Sequence, residues 1–127
     1  MVKIILLFIL HLFADFLLQG SSLSKLKSSK SLYLLIHVII YTSVFIVFSP
    51  LLLSLTFIDG LIFSGINGGI HLVVDFITSK LKRIFWQKNE AIYVSIIIFD
   101  TIIHIIILLT TYMYLFPEAF NTYIRLD

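Results

Sequence analysis

The sequence predicts an all-α integral membrane protein, a four-helix bundle crossing the bilayer as a single transmembrane domain over 1–127. Three observations carry this. Of 127 residues, 60% are hydrophobic and 13% charged, an apolar share above and a charged share below those of soluble domains. The apolar residues gather in four continuous stretches of nearly the length, about 20 residues, that a helix needs to cross a hydrocarbon core of about 30 Å. The basic residues, finally, collect in two of the three connections. Strands are excluded because the stretches are continuously apolar rather than alternating, and an open sheet leaves backbone groups unsatisfied in lipid.

The first stretch, about 2–19, ends at Gly20 and the polar run SSLSKLKSSK. Lys3 followed by an apolar run has the outline of an export signal, but such a signal has no use for His11 and Asp15 inside it. The second stretch, about 32–48, should stop at Ser49-Pro50, since proline lacks a donor and disfavours helix in the residue before it. The third, about 57–79, passes Gly65, Gly68 and Gly69, which would let a neighbouring helix approach closely. The fourth, about 91–116, is closed by Pro117.

Of nine Lys and Arg, Lys25, Lys27 and Lys30 lie between the first two helices and Lys80, Lys82, Arg83 and Lys88 between the last two. The positive-inside rule places loops 20–31 and 80–90 in the cytoplasm and both termini outside the cell membrane. Tyr112, Tyr114 and Tyr123 suit an aromatic belt on the far side. The net charge of +2 is too small for nucleic acid binding. The partner that the composition demands is the lipid bilayer, with a homo-oligomer or another membrane protein left open. With no cysteine, disulfides, thiolate metal sites and cysteine nucleophiles are excluded.

The first and third helices carry one phrase twice, His11-Leu-Phe-Ala-Asp15-Phe-Leu and His71-Leu-Val-Val-Asp75-Phe-Ile, each followed by lysines and then by a returning helix that bears His37 or His104. This reads as a duplicated two-helix hairpin whose copies run the same way, so that a pseudo-two-fold axis would lie along the membrane normal.

Ionisable groups inside membrane spans cost roughly 2.5 to 3.5 kcal/mol each on insertion scales and face the bundle interior. Here they are His11, Asp15, His37, His71, Asp75, Asp100 and His104. His11 with Asp15, His71 with Asp75, and Asp100 with His104 are i, i+4 pairs, which a helix places on one face. Counted from the basic loops, all of them fall in one layer of the cytoplasmic half. Four imidazoles and three carboxylates in a low-dielectric layer make the ligand set of a Zn, Fe or Mn site, mononuclear or dinuclear. They equally make an interhelical His–Asp network that only holds the bundle together. Gln19, Tyr41 and Asn67 extend the polar stripes by i+4 or i−4 steps, and Lys80 stands with Lys27, Lys30 and Lys82 at the cytoplasmic mouth. Ser43, Thr42, Ser95 and Thr101 are expected to bond their own helix backbones.

The segments HLFADFLLQ at 11–19, IHVIIY at 36–41, IHLVVDFITSKLK at 70–82 and FDTIIH at 99–104 resemble a family of small bacterial and phage membrane proteins catalogued as domain of unknown function 3307. The family's last motif commonly has Gln after the Asp, where Thr101 stands here, so no role for that amide carries over. The resemblance implies a four-helix membrane protein and no established activity. Membrane-embedded metal-dependent hydrolases also present His and Asp from their helices near a cytoplasmic face, an analogy of style that does not confer function.

Three functions compete at this point: a metal-dependent membrane hydrolase, a structural or partner-binding membrane subunit, and an ion or proton transporter. The nearly apolar outer half of every helix offers a transporter no continuous path. No Gly-x-Ser-x-Gly, phosphate loop or His-Glu-x-x-His is present to support the hydrolases and nucleotide-binding proteins that depend on them.

Overall fold

A computed structural model of the chain describes residues 2–17 and 31–121, and among these the regular structure is entirely helical. Helix α1 (Val2–Leu12) runs into one π-helical turn, Phe13–Leu17; α2 is Ser31–Leu53, α3 Phe57–Phe85, α4 Glu90–Leu115 and α5 the short Pro117–Asn121. Helices α2, α3 and α4 are long and apolar enough to cross a membrane. Their 23, 29 and 26 residues correspond to about 35, 44 and 39 Å of helix at about 1.5 Å per residue.

Helix α2 packs on α3 and α3 on α4, while α1 lies against both α2 and α4. The outward surface is apolar: Ile39, Val47, Leu51, Val73, Ile77, Phe99, Ile102 and Ile106 are all exposed. Among the described residues the interior holds more polar and charged side chains than apolar ones, the reverse of a soluble core.

Three boundaries depart from the sequence reading. Helix α2 continues through Pro50 to Leu53. Proline there removes one bond from the last turn, and the end is closed instead by Ser54 at φ 57° and a Leu55 N–H bond to the Pro50 carbonyl at 3.0 Å, a six-to-one closure of the Schellman kind. Helix α3 runs past 79 to Phe85, because Lys80, Lys82 and Arg83 are good helix formers and basic residues are favoured at a C-terminus. The first segment is not α-helical throughout, having the π-helical turn that is described below.

The α2–α3 contact is made by small residues at every fourth position of α3. A Cβ on Gly60 would collide with the Pro50 ring, and one on Gly68 with Thr42. Between them Ser64 Oγ lies 3.4 Å from Ser49 Oγ. Gly65 and Gly69, which the sequence placed in this packing role, face open space instead. Helix α3 begins with a cap in which Thr56 Oγ1 accepts the Asp59 N–H, and α4 with one in which Asn89 Oδ1 accepts the Ile92 N–H.

Toward the end that holds the α2–α3 turn, the core is apolar and aromatic. Tyr41 stacks on Phe45 with centroids 4.7 Å apart, Phe45 meets Phe63 at 6.3 Å, and Phe63 meets Tyr112 edge-on at 6.3 Å. Leu7, Leu10, Leu53 and Leu108 fill the space around them. At this end Lys3 Nζ donates to the Leu53 carbonyl, placing a cation at the C-terminus of α2 where the helix dipole favours it.

Because the Thr42 side chain is β-branched and stiff, Gly68→Val should lower stability by about 1 to 3 kcal/mol through overpacking. Gly65→Ala, whose Cβ meets open space, should raise stability by up to about 1 kcal/mol through the better helix propensity of Ala. Thermal unfolding in detergent followed by circular dichroism checks both.

Candidate metal centre

The polar layer sits beside this aromatic core, toward the α3–α4 turn. Helix α2 supplies His37 and Tyr41 on successive turns, α3 supplies Asn67, His71 and Asp75 at i, i+4, i+8, and α4 supplies Asp100 and His104. The first segment supplies His11 from α1 and Asp15 from the π-helical turn. All seven ionisable groups are buried.

The π-helical turn changes what i, i+4 spacing would have given. It widens the turn between His11 and Asp15 and re-aims them, so that they meet different neighbours. Asp15 Oδ1 lies 3.3 Å from His37 Nε2 and 3.9 Å from His71 Nε2. His11 Nδ1 lies 3.3 Å from the Tyr41 hydroxyl, and its ring stacks on His104 with centroids 5.2 Å apart.

Four side chains converge. His37 Nε2 lies 2.8 Å from His71 Nε2, 2.9 Å from Asp75 Oδ2 and 3.3 Å from Asp15 Oδ1. His71 Nε2 is 3.7 Å from Asp75 Oδ2. A neutral imidazole carries at most one proton on Nε2, and one N–H cannot point at three neighbours at once. A cation among them would satisfy all four. Around a tetrahedral ion with ligand bonds of about 2.0 to 2.1 Å, neighbouring ligand atoms stand about 3.3 Å apart, in the middle of the 2.8 to 3.9 Å spanned by the pairs that include an imidazole. Asp15, His37, His71 and Asp75 each offer one ligand atom within 4.8 Å of the others, and Asp75, Asp100 and His104 do the same.

The second group is differently bonded. Asp100 Oδ1 accepts from Thr78 Oγ1 at 2.8 Å and Oδ2 from Lys82 Nζ at 2.7 Å. His104 Nδ1 lies 2.7 Å from the Asp100 carbonyl. A carbonyl only accepts, so Nδ1 carries the proton and Nε2 the lone pair. That Nε2 is buried with no hydrogen-bond partner, as are His11 Nε2 and His71 Nδ1. The Tyr41 ring lies flat on His71, 3.9 Å between centroids and 7° between planes, and fixes its orientation.

The model of one protein family, described as "Protein of unknown function (DUF3307)", matches residues 4–126 of this chain. The chain belongs to the DUF3307 family. No curated protein and no solved structure matches it.

In this DUF3307 member the structure brings together His11, Asp15, His37, Tyr41, His71, Asp75, Asp100 and His104. Asn67 lies one turn from His71 but donates its Nδ2 to the Phe63 carbonyl, leaving a buried Oδ1 without a hydrogen-bond partner. Lys80 points away from the layer, its ammonium 3.8 Å over the Phe76 ring, and Gln19 lies outside the described residues. Among the described residues, the lysine that reaches the layer is Lys82. Thr78 was not singled out by the sequence reading, although it sits three residues after Asp75 on the same face. Ser43, Ser95 and Thr101 bond the carbonyls four residues back, whereas Thr42 packs on Gly68.

Thr78→Val keeps the side-chain shape but withdraws one hydrogen bond from a buried carboxylate. The expected loss is about 1.5 to 3 kcal/mol, recovered in Thr78→Ser, as read by unfolding in detergent.

Proposed function

We propose that this chain is a multi-pass protein of the cell membrane, a bundle of four crossing helices that holds a divalent transition ion near its cytoplasmic face and uses it for hydrolysis. The observation that supports this best is the convergence of Asp15, His37, His71 and Asp75 from three segments onto one point, buried and at ligand-to-ligand spacing. Nitrogen from imidazole and oxygen from carboxylate suit Zn, Fe or Mn. Two His and two carboxylates close the shell of tetrahedral Zn, as in structural sites, whereas six-coordinate Fe or Mn keeps positions open for water and substrate.

A divalent ion held by Asp15, His37, His71 and Asp75 would supply a Lewis acid and lower the pKa of a bound water. The chain's own residues do the rest. Tyr41 holds the plane of His71, and the Asp100 carbonyl holds the neutral His104 ring in the tautomer with its lone pair on Nε2. On the other side of the layer the rings of Tyr41, Phe45, Phe63 and Tyr112 pack in a row, and the buried Lys3, Ser49 and Ser64 beyond them are engaged with helix carbonyls or with each other, which argues against transport through the bundle.

The excess length of α3, about 44 Å against a core of about 30 Å, carries Lys80 and Arg83 beyond the lipid, with Lys82 reaching back to Asp100 from the boundary. With Lys88 they mark the cytoplasmic end, so both termini lie outside. The repeated His-x-x-x-Asp phrase supports descent from a duplicated hairpin with its axis along the membrane normal.

Metal analysis by mass spectrometry of detergent-purified protein should find at least about one equivalent of Zn, Fe or Mn, lost in the His37→Ala, His71→Ala double variant. A wild type that stays metal-free after incubation with those ions would sink the proposal and leave an interhelical polar network. Topology is tested separately, and the cysteine-free chain makes it simple. In intact cells an impermeant maleimide should label a Ser54→Cys variant and spare Lys88→Cys; the opposite pattern would invert the orientation.

A further inference from the structure

Asp75 belongs to both ligand groups. On one side it faces His37 and His71; on the other it comes within 4.8 Å of ligand atoms of Asp100 and His104. A carboxylate shared in this way is the geometry of a bridging ligand between two ions, and helical bundles build dinuclear carboxylate centres from such facing side chains. The two halves differ in one respect. The second half already has a cation at ion-pair distance: Lys82 Nζ, 2.7 Å from Asp100 Oδ2.

That ammonium is built to leave. It sits at the end of a flexible four-carbon stem, its side chain is 17% exposed where the layer's other ionisable side chains are at most 6% exposed, and it lies at the end of α3 that carries Lys80 and Arg83. Lysine is a compact, strongly hydrated point charge, so swinging it outward returns it to water. Thr78, the other donor to Asp100, has a hydroxyl free to turn about its Cβ–Oγ1 bond. Buried atoms for a second ion are present as well: His104 has a lone pair on Nε2 that no hydrogen bond uses, and His11, stacked on its ring, has an Nε2 without a partner.

We infer that Asp75, Asp100 and His104 form a second divalent-cation position, joined to the first through Asp75, and that the Lys82 ammonium competes with the ion for it. This rests on the metal-binding reading of the first position. Two cations cannot share Asp100 at close range without repulsion, so an ion enters only as Lys82 swings out. The second position is therefore the weaker, and it fills only at high ion concentration.

The test is titration of metal-stripped, detergent-solubilised protein with Mn(II), following free Mn(II) by electron paramagnetic resonance. Wild type should bind one ion tightly and a second weakly. Lys82→Met should tighten the second by about tenfold or more through removal of the competing charge and leave the first unchanged, while Lys82→Arg, which keeps a cation on Asp100, should not tighten it. Asp100→Asn and His104→Ala should abolish the second and spare the first. A single equivalent in both wild type and Lys82→Met overturns the inference, and so does a second equivalent that Lys82→Met does not tighten. If Lys82→Met fails to fold, wild type at saturating Mn(II) decides. A spin-coupled pair upholds the second position, and a spectrum of isolated ions refutes it. No bound Mn(II) at all refutes the first position as well, which separates the two failures.

Discussion

Everything in this fold is arranged around the need of buried imidazoles and carboxylates to satisfy one another without water. The meeting point is His37 Nε2, which has Asp15, His71 and Asp75 all within 3.3 Å. Through it the first segment, α2 and α3 are tied at one level. Breaking one partner out of such a cluster leaves the others buried and unsatisfied, which costs several kcal/mol. The cluster therefore acts on fold and chemistry together. It fixes the register of three helices whose outward faces are interchangeable Ile, Leu and Val.

The small-residue seam between α2 and α3 makes that meeting point possible. Thr42 on Gly68 and Pro50 on Gly60 bring the two backbones close, and in antiparallel helices the next turn beyond Thr42 and Gly68 is the one that holds His37 and His71. A wider seam would separate the two Nε2 atoms, now 2.8 Å apart. The glycines thus tune the polar layer from about one turn away, at Gly68, and about three turns away, at Gly60. Helix α1, which has no such seam, enters the layer by a different device, the π-helical turn that turns Asp15 toward His37 while His11 faces Tyr41 and His104.

Much of this was legible in the chain, and what was missed follows from angle. At about 100° per residue, Asn67, Asp75, Thr78 and Lys82 fall within about 60° of His71, whereas Lys80 lies about 180° away. Spacing alone could have chosen Lys82 over Lys80 and added Thr78. The same wheel puts Gly60 and Ser64 near the His71 face and Gly65 and Gly69 well off it, so the packing stripe was readable too, had glycine been weighed by angle rather than by clustering. The i, i+4 pairs of α3 and α4 were readable because those helices are regular through the layer. The π-helical turn was not, since five-residue closure leaves no residue signature. Nor was the passage of α2 through Pro50, because whether a proline ends a helix depends on what lies one turn later, here a left-handed Ser54 and a six-to-one bond.

The placement of the layer also constrains what it can do. On one side lie the packed rings of Tyr41, Phe45, Phe63 and Tyr112, and beyond them the buried Lys3, Ser49 and Ser64 are engaged with helix carbonyls or with each other. On the other, Lys82 stands over Asp100, and α3 continues outward with Lys80 and Arg83. Among the described residues Lys82 is the layer's most exposed ionisable side chain, and it stands between Asp100 and the basic end of α3. A cation approaching Asp100 must displace that ammonium, whereas an anion is drawn to it. For the proposed metal site the burial of the layer is an advantage, because few waters compete for the ion and each fixed charge acts through a lower dielectric.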